Sequence, residues 1–259
     1  MRRRARINQI VTDFVRKPIA EVRVLDLACL EGDYSAEFAM RGAQVLGIEG
    51  RRTNVERARE RFRLPNLEFV QDDVRNISRE KYGEFDVVLC LGILYHLDAP
   101  DCFKLLESIA EVCTGVAVID THVSDIRSET VNHRGKDYAG WRYVEYVRPP
   151  SQQEEEASTW ASIGNVRSFW PTKPSLVNAI VDAGFTSVYD CQYPAWNDIP
   201  ADRVAFAATK GERQRVLASP FDEAILNERV DEVPQVGPVA PRARAKAHLD
   251  RVARLFGLR

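Results

Sequence analysis

Cysteines are scarce in this sequence, and none lies at a spacing typical of metal ligands. Only five occur among 259 residues. Four of them fall in or beside apolar strand or helix patterns, which predicts buried side chains in the reduced state. The sequence therefore argues against a cysteine-based metal site and favours a cytoplasmic protein. The five positions are Cys29, Cys90, Cys102, Cys113 and Cys191.

Long apolar runs and an excess of one charge are also missing. No stretch approaches the length that spans a membrane, and Asn8, Gln9 and Asp13 interrupt any apolar run after the basic start at residues 2–6. That start therefore predicts a solvated helix end rather than a signal peptide. With 36 basic and 38 acidic residues, the chain has no positive field for nucleic acid. We predict neither a membrane nor a nucleic-acid partner.

Length and composition predict one large domain with an appendage. A chain of 259 residues with 45% hydrophobic content can bury one core and carry a cap or tail. Strand and helix patterns alternate over residues 1–210, except in the polar and aromatic residues 122–170. From residue 211 the chain is charged and rich in proline, and residues 242–256 predict a basic amphipathic helix. We therefore predict a domain at 1–210 with an insertion at 122–170, and a tail at 211–259.

A strand, a turn and a helix near the N-terminus form the most informative segment. Residues 22–27 are mostly apolar, residues 28–32 form a turn that ends at Gly32, and residues 33–41 predict a helix. A second strand follows and ends at Glu49. An acid at that place accepts hydrogen bonds from ribose hydroxyls, while the turn presents backbone N–H groups and a helix N-terminus. The pattern predicts an adenosine-containing cofactor.

The number of glycines in the turn decides between two kinds of adenosine cofactor. A dinucleotide fold needs three glycines in Gly-x-Gly-x-x-Gly so that a pyrophosphate can approach the backbone. The corresponding residues 26–32 contain only Gly32. Pyrophosphate binding is therefore disfavoured.

Two further blocks extend this pattern. Residues 67–74 predict a third strand that runs into Asp73, and residues 85–97 predict a fourth strand followed by Tyr95 and His96. Together with the first block they resemble class I S-adenosylmethionine-dependent methyltransferases. The resemblance implies an α/β fold with a Rossmann-like, seven-stranded, mostly parallel sheet. It also implies S-adenosyl-L-methionine as the cofactor.

The resemblance assigns roles to the residues around the turn. It implies that Glu49 binds the ribose and that Asp73 meets the adenine amino group. Ala28 and Leu30 stand where the family's motif has glycines, so we expect the turn to lie farther from the methionine moiety than usual. The implied cofactor-binding residues are Asp26, Ala28, Gly32, Glu49, Asp73, Val74 and Leu91.

The insertion at residues 122–170 leaves the sheet at the edge where ligands bind. Segments of this length inside a compact domain are usually lids, binding loops or disorder. Its aromatic residues argue against disorder, whereas the acidic residues 151–157 predict a mobile tip. We favour a substrate lid after the fifth strand over a purely structural cover. Trp141, Tyr143 and Trp170 are predicted to bind the substrate.

Methyl transfer to a hydroxyl needs a base for the departing proton, and histidine is the commonest base near neutral pH. Among four histidines, His122 after the fifth strand and His133 in the insertion are the predicted bases. Tyr95 and Asp120 are alternatives on the same edge. For His96 we favour a structural role under the loop. The spacing of the acids and histidines matches no metal cage, so we predict no metal.

A narrower resemblance covers residues 20–195. Residues 91–96, residues 164–176 and the helix end at 183–185 look like the methyltransferase domain of the tRNA wobble-uridine carboxymethyl transferases and of bacterial relatives with small substrates. This implies that Tyr95 lies beside the transferable group and that Asn165 and Arg167 lie in a segment that closes over it. The long N-terminal extension of the tRNA enzymes has no counterpart before the first strand. We therefore expect ordinary S-adenosylmethionine and disfavour tRNA.

The sequence as a whole predicts an O-methyltransferase that acts on a hydroxyl of a small polar metabolite. Tryptophan and tyrosine beside charged residues in the insertion suit a saccharide or a glycosylated natural product. Two alternatives stay open: a methyltransferase of RNA, and a module that binds the cofactor without catalysis. The sequence also leaves a homodimer open.

Overall fold

The structure, a computed structural model, describes residues 2–191 and 200–211. Its helices are α1 (Arg2–Phe14), α2 (Asp33–Met40), α3 (Arg52–Arg61), α4 (Arg79–Tyr82), α5 (Asp101–Val112), α6 (Gln152–Ala157) and α7 (Lys173–Asp182). Its strands are β1 (Arg23–Leu27), β2 (Gln44–Glu49), β3 (Leu67–Gln71), β4 (Phe85–Leu91), β5 (Cys113–His122), β6 (Glu129–His133), β7 (Lys136–Val144), β8 (Arg167–Pro171), β9 (Ser187–Asp190) and β10 (Arg203–Thr209). The predicted terminal helix at 242–256 and nearly all of the predicted tail lie outside the described residues.

Seven strands form one sheet in the order β3-β2-β1-β4-β5-β10-β9. The first five are parallel to their neighbours, and β10 runs antiparallel between β5 and β9. The predicted α/β fold with a Rossmann-like, seven-stranded, mostly parallel sheet is therefore confirmed, and β9 and β10 close it as an antiparallel pair. Because the carboxyl ends of the parallel strands share one edge, the loops after β1, β2, β3, β4 and β5 meet there.

Helices cover both faces of this sheet, as its apolar strands require. On one face, Leu25 and Ile119 belong to the same buried cluster as Phe103 of α5. On the other face, Val24 shares a cluster with Ile7 of α1. Full burial of such a side chain stabilises the fold by about 1.5–3 kcal/mol. The sheet is therefore a rigid base for the loops at its carboxyl edge.

Helix α1 docks on the sheet through residues that follow its basic start, and within that start Arg4 and Ala5 are exposed. Ile7 and Val11 are almost fully buried against the sheet. Near the helix start, Nε and Nη2 of Arg3 donate to the two carboxylate oxygens of Asp120 at 3.2 and 3.0 Å. The apolar face of α1 docks the helix, and this docking carries a basic side chain to the end of β5.

Helix α7 begins with a side-chain cap and a proline. Thr172 is its N-cap, and the side chain of Thr172 accepts a hydrogen bond from the backbone N–H of Ser175. Pro174 lies in the first turn, where a missing N–H costs nothing. The helix is followed by Gly184 at a φ of 118°, a left-handed conformation that stops helical continuation.

The insertion is more regular than its sequence predicts. β6, β7 and β8 form a three-stranded antiparallel sheet in that order. Trp141 pairs with Trp170 across β7 and β8, which joins two of the predicted substrate residues. The expected mobile tip at residues 151–157 contains α6, whose N-cap Ser151 forms a capping box with Glu154. Its function as a lid stays a prediction.

All five cysteines are free thiols, and Cys29, Cys90, Cys102 and Cys113 are buried. Burial raises the pKa of Cys90 to about 12, which keeps that thiol protonated and unreactive. Within residues 2–191 and 200–211, no helix combines the length and the apolarity needed to cross a lipid bilayer.

Candidate functional site

A pocket of about 350 Å³ lies at the carboxyl edge of the parallel strands. Its walls come from the turn after β1, the ends of β2, β3 and β4, and the insertion. Ala28, Glu49, Asp73, Val74 and Leu91 all line it, so the structure brings most of the predicted cofactor residues together.

The turn after β1 has a left-handed, glycine-like backbone at two residues that carry side chains, Ala28 and Leu30. Ala28 and Leu30 have φ values of 52° and 51°, and Gly32 has a φ of 83°. Each non-glycine residue in this left-handed region costs about 1–2 kcal/mol. At Gly32 a side chain has no room, because a Cβ there would lie 2.4 Å from Cζ of Phe69. The strain at Ala28 and Leu30 points to a required backbone path at the pocket wall.

Glu49 is the most buried acid of the pocket lining, with only 2% of its surface exposed. Oε2 of Glu49 accepts the backbone N–H of Leu30 at 3.0 Å. Oε1 accepts the backbone N–H of Arg51 at 2.9 Å and the side-chain amide of Asn54 at 3.2 Å. A carboxylate has about four acceptor positions, and three of them are used here. One position is left for a ligand hydroxyl.

Asp26, at the end of β1, lies under the turn and does not line the pocket. Its carboxylate is 2% exposed and accepts the hydroxyl of Ser35 at 2.6 Å. Burial raises the pKa of Asp26 to about 7, and the hydrogen bond from Ser35 offsets only part of this effect. Asp26 therefore ties β1 to α2 and supports the turn from below.

Asp73 reaches the pocket with its carboxylate already bound. The backbone N–H and Nε of Arg75 donate to Oδ1 of Asp73 at 2.9 and 3.0 Å, and Nη2 donates to Oδ2 at 2.5 Å. Nη2 of Arg75 also donates to the backbone oxygen of Ile163 at 3.4 Å. The acid predicted to meet an adenine amino group is thus held by a neighbouring arginine, and its free acceptor capacity is small.

Part of the insertion covers the pocket. Thr159, Trp160, Ala161 and Ile163 line it, and a Cβ on Gly50 would lie 2.8 Å from Cδ1 of Ile163. The insertion therefore lies directly against the loop that follows Glu49.

A buried arginine holds this cover in place. Arg51 is 5% exposed. Its Nε donates to the backbone oxygen of Glu155 at 2.9 Å, and its Nη2 donates to the backbone oxygens of Ser158 and Ala161, both at 2.8 Å. Charge-assisted hydrogen bonds of this kind are stronger than neutral ones. Sequence reasoning missed Arg51, because nothing in its local pattern pairs it with carbonyls more than 100 residues away.

An aromatic group lies beside the pocket and includes two predicted catalytic residues, Tyr95 and His122, of which only Tyr95 is part of the pocket lining. Tyr95 lines the pocket, and its ring meets His122 edge-on with centroids 4.7 Å apart. His122 stacks on Trp170 at 5.1 Å, and Trp170 stacks on Tyr143 at 5.1 Å. Trp141 packs edge-on against both Tyr143 and Trp170. The three predicted substrate aromatics therefore form one group beside Tyr95.

His122 has partners on both of its ring nitrogens. Nδ1 lies 3.0 Å from Oδ2 of Asp202, and Nε2 lies 3.4 Å from Nη1 of Arg203. A carboxylate only accepts and a guanidinium only donates. The proton of His122 therefore lies on Nδ1, and the lone pair of Nε2 faces Arg203.

His133 lies away from this pocket. Its Nε2 is 2.9 Å from Oε1 of Glu107, and its ring stacks on Phe103 at 5.4 Å. Phe103 and Glu107 belong to α5, and with His133 they line a separate depression. The structure thus brings His122, but not His133, to Tyr95, and His133 has no part in the chemistry proposed for the pocket.

Asp120, an alternative base, is bound by two arginines. It is fully buried, and its Oδ1 accepts Nη2 of Arg3 at 3.0 Å and Nε of Arg203 at 2.7 Å. Two guanidinium groups hold this carboxylate and leave it poorly placed to accept a substrate proton. Arg3 and Arg203 both line the pocket, and sequence reasoning missed both because they are far from Asp120 along the chain.

Asn165 and Arg167 do not line the main pocket. The side-chain amide of Asn165 donates to the backbone oxygens of His96 at 3.0 Å and Arg167 at 2.6 Å. Both residues line a shallow depression on the outer side of the insertion. Asn165 therefore fastens the insertion to the loop after β4, and Arg167 is exposed beside it.

The loop after β4 also places His96 on the pocket wall. Its Nδ1 lies 3.0 Å from Oε1 of Glu145, which follows β7 in the insertion. The sequence favours a structural role for His96, and neither the sequence spacing nor any short motif links it to Glu145. Among the residues that the structure describes, no group of three or more histidine, cysteine or acidic side chains is arranged to hold a metal ion.

Comparison with known proteins agrees with this geometry. Residues 24–115 match the family model of a methyltransferase domain. A ubiquinone biosynthesis O-methyltransferase of Acinetobacter baylyi is 30% identical over 123 residues, which cover 46% of this chain and 48% of the relative. One of Hahella chejuensis is 31% identical over 160 residues, which cover 57% of this chain and 62% of the relative. The first match therefore spans about half the length of its curated relative.

Two solved structures have the same fold. The N-terminal domain of EvdMO1, solved in the presence of SAH and D-fucose, is 24% identical, with a TM-score of 0.62 and coverage of 82% of both chains. An S-adenosylmethionine-dependent methyltransferase from Mesorhizobium loti is 14% identical, with a TM-score of 0.53 and coverage of 80% of this chain and 98% of that one. The chain therefore has the fold of class I methyltransferases. Kinship with the wobble-uridine enzymes stays a prediction.

Proposed function

We propose that this protein is an S-adenosylmethionine-dependent O-methyltransferase whose acceptor is a hydroxyl of a small polar metabolite, a saccharide or a glycosylated natural product. One observation carries the proposal. A single pocket joins the strained turn and Glu49 to Tyr95, His96 and Arg203, and the rings of His122 and Trp170 pack against Tyr95 from outside the pocket lining. Residues that suit an adenosine cofactor and residues that suit an acceptor thus share one cavity.

The residues present fit the proposed cofactor. Glu49 keeps one acceptor position for a ribose hydroxyl, and the left-handed turn at Ala28 and Leu30 turns backbone toward the cavity. Val74 and Leu91 add apolar wall on either side. The weak point is the adenine end, because Arg75 occupies most of the Asp73 carboxylate. We therefore assign the main polar contact with the cofactor to Glu49.

When bound, S-adenosylmethionine supplies an activated methyl group that is displaced in line by a nucleophile. The protein's own task is alignment and exclusion of water. Arg51 holds residues 158–161 against the pocket, which shields that end from solvent. At the other end, the rings of Tyr95, His122 and Trp170 pack against one another and restrict where an acceptor can lie.

The character of the acceptor end supports a saccharide. Trp170 and Tyr143 are stacked and only partly buried, and charged Arg203 lies over the ring of Tyr95 at 5.8 Å. Aromatic faces cover sugar C–H surface, while charged groups bond to hydroxyls. The curated relatives are O-methyltransferases, which supports transfer to a hydroxyl, and the similar N-terminal domain of EvdMO1 was solved in the presence of D-fucose.

The test is formation of S-adenosylhomocysteine by the purified chain with D-fucose, methyl α-D-glucoside and a control without acceptor. We expect acceptor-dependent product and incorporation of one methyl group by mass spectrometry. Cofactor binding without any turnover on these and on a metabolite extract would instead favour the inactive binding module.

An RNA acceptor is tested separately. Glu154, Glu155 and Glu156 lie in the insertion next to the pocket cover, where they would repel a phosphate backbone. We expect no tRNA binding tighter than non-specific binding, whose strength falls steeply with salt. Salt-sensitive, sub-micromolar tRNA binding in a gel-shift assay would overturn the preference for a small acceptor.

A further inference from the structure

Two histidines flank Tyr95, and they differ in the state of Nε2. Both have Nδ1 next to a carboxylate, Asp202 for His122 and Glu145 for His96. Nε2 of His122 faces Nη1 of Arg203 at 3.4 Å. Nε2 of His96 makes no hydrogen bond to any residue in the described part of the chain. Of these two histidines, His96 is the one whose Nε2 lone pair has no partner among the described residues.

Glu145, the partner of His96, is buried and held by two further hydrogen bonds. The side chain of Glu145 is 4% exposed. Its Oε1 also accepts the hydroxyl of Ser168 at 2.9 Å, and its Oε2 accepts the backbone N–H of Ser162 at 3.4 Å. A carboxylate accepts and does not donate, so Nδ1 of His96 carries the proton in this contact. In the neutral imidazole this tautomer leaves Nε2 as an acceptor.

Other contacts restrain the imidazole and its backbone. The ring of Tyr95 lies 4.2 Å from the ring of His96, centroid to centroid. The side-chain amide of Asn165 donates to the backbone oxygen of His96 at 3.0 Å, and Nε1 of Trp170 donates to the backbone oxygen of Tyr95 at 2.9 Å. The insertion therefore holds the loop after β4 at three points, Glu145, Asn165 and Trp170.

We propose that His96 is the general base of methyl transfer and that Glu145 is its positioning residue. This rests on the proposed function. Nε2 of His96 takes the proton as the acceptor's O–H bond breaks. The hydroxyl oxygen forms the new bond to the methyl carbon, and the electron pair of the breaking S–CH3 bond stays on sulfur. His122, with Nε2 turned to Arg203, forms part of the acceptor wall.

This assignment gives the insertion a catalytic purpose. His96 comes from the sheet edge, whereas Glu145 comes from the end of β7. The correct tautomer therefore forms only when the insertion is docked. A purely structural histidine needs neither an uncommitted Nε2 nor a place on the pocket wall.

The first experiment needs no acceptor. Long-range proton–nitrogen NMR identifies the tautomer of His96 in the ¹⁵N-labelled full chain with S-adenosylhomocysteine at pH 8. The ring signals of His96 are assigned by their absence from the spectrum of His96→Gln. We expect the proton on Nδ1, and we expect Glu145→Gln to change the His96 signals. The control Glu68→Gln, on an exposed strand position, should leave them unchanged. A proton on Nε2, or spectra of Glu145→Gln identical to the wild type, would overturn the proposal.

The second experiment measures turnover of D-fucose and methyl α-D-glucoside. We expect His96→Ala to lower kcat by about 10² to 10⁴ with S-adenosylhomocysteine affinity intact, and added imidazole to restore part of the loss. His133→Ala, a matched control in a separate depression, should keep the wild-type kcat. A His96→Ala variant that turns over at the wild-type rate contradicts the inference. Absence of turnover by the wild type counts against the proposed function. In that case the NMR measurement of the tautomer alone tests the inference about His96.

Discussion

Nη2 of Arg51 donates to the backbone oxygen of Ala161 at 2.8 Å, across 110 residues of sequence. The backbone N–H of the same arginine donates to Glu49. One residue thus contacts both the acid of the pocket and the segment that covers the pocket. Closure of the cover and order at Glu49 are therefore coupled through Arg51.

We expect Arg51→Ala to loosen the segment of the insertion that covers the pocket and to weaken the binding of S-adenosylhomocysteine. The change removes three hydrogen bonds to backbone carbonyls but keeps the backbone N–H that binds Glu49. Each lost charged hydrogen bond costs about 1.5–3 kcal/mol at most. Hydrogen-exchange mass spectrometry should show faster exchange in residues 151–164, and calorimetry should show a higher Kd. Arg52→Ala, which removes an exposed pair with Glu56, should change neither; equal behaviour of the two variants would refute the coupling.

Gly32→Ala should destabilise the protein by about 2–4 kcal/mol. It combines a left-handed backbone, which costs about 1–2 kcal/mol for a side chain, with a contact to Phe69 that forces repacking. Gly135 is the matched control, because it has a φ of 79° and no atom lies within 4 Å of the position that a Cβ would take there. Gly135→Ala should therefore lose only the backbone part. Urea unfolding compares the stability of the two variants. Equal losses of unfolding free energy would show that contact with Phe69 does not exclude a side chain at position 32.

Asp26 makes stability depend on pH in a predictable direction. Its folded pKa of about 7 lies above the ordinary 3.8, so the unfolded chain releases this proton first. The contribution of this raised pKa to the free energy of unfolding is complete below pH 4 and is lost as the pH rises to 7. Asp26→Asn keeps a neutral acceptor for Ser35. Relative to the wild type, it should therefore gain about 2–3 kcal/mol between pH 5 and pH 8.

Urea unfolding at the two pH values measures that gain. The exposed Asp125 gives the control, and Asp125→Asn should show the same pH dependence as the wild type. If Asp26→Asn follows the wild type in parallel, the buried carboxyl does not titrate in this range.

Tyr143→Ala should weaken the binding of the acceptor without changing the affinity for the cofactor. Tyr143 is 39% exposed and stacks on Trp170, so its face is available to a sugar. Loss of one aromatic face costs about 0.5–1.5 kcal/mol of binding free energy. Because about 1.4 kcal/mol corresponds to a factor of ten, we expect the KM for D-fucose to rise about two- to tenfold. Tyr143→Phe keeps the face and should stay within about twofold. A KM that rises equally in both variants would assign the effect to the hydroxyl instead.

The fold was predictable from sequence where local patterns carry it. The apolar strand before Asp26, the acid at Glu49 and the cap at Thr172 are each set by neighbours in the chain. The group of Asp120 with Arg3 and Arg203 was not predictable, because periodicity tells which face is buried and not which distant residues meet. The sheet of the insertion was missed for a related reason: most residues of β6 and β7 are exposed or half-exposed, so their apolar alternation is weak.

Glu49 carries the central claim that the pocket binds an adenosine cofactor. Glu49→Ala removes the acceptor for a ribose hydroxyl and also leaves the backbone N–H groups of Leu30 and Arg51 without a partner. We expect a loss of about 1–3 kcal/mol of binding free energy. Thermal unfolding of the variant, run alongside, separates this loss from a general loss of fold.

The most direct measurement is calorimetric titration of S-adenosylhomocysteine and of NAD into the wild type and Glu49→Ala. We expect one-to-one binding of S-adenosylhomocysteine by the wild type and binding weakened about 5- to 150-fold in Glu49→Ala. We expect no binding of NAD, because a turn with one glycine disfavours the approach of a pyrophosphate. Absence of binding by the folded wild type, or equal affinity in the folded variant, would contradict the central claim.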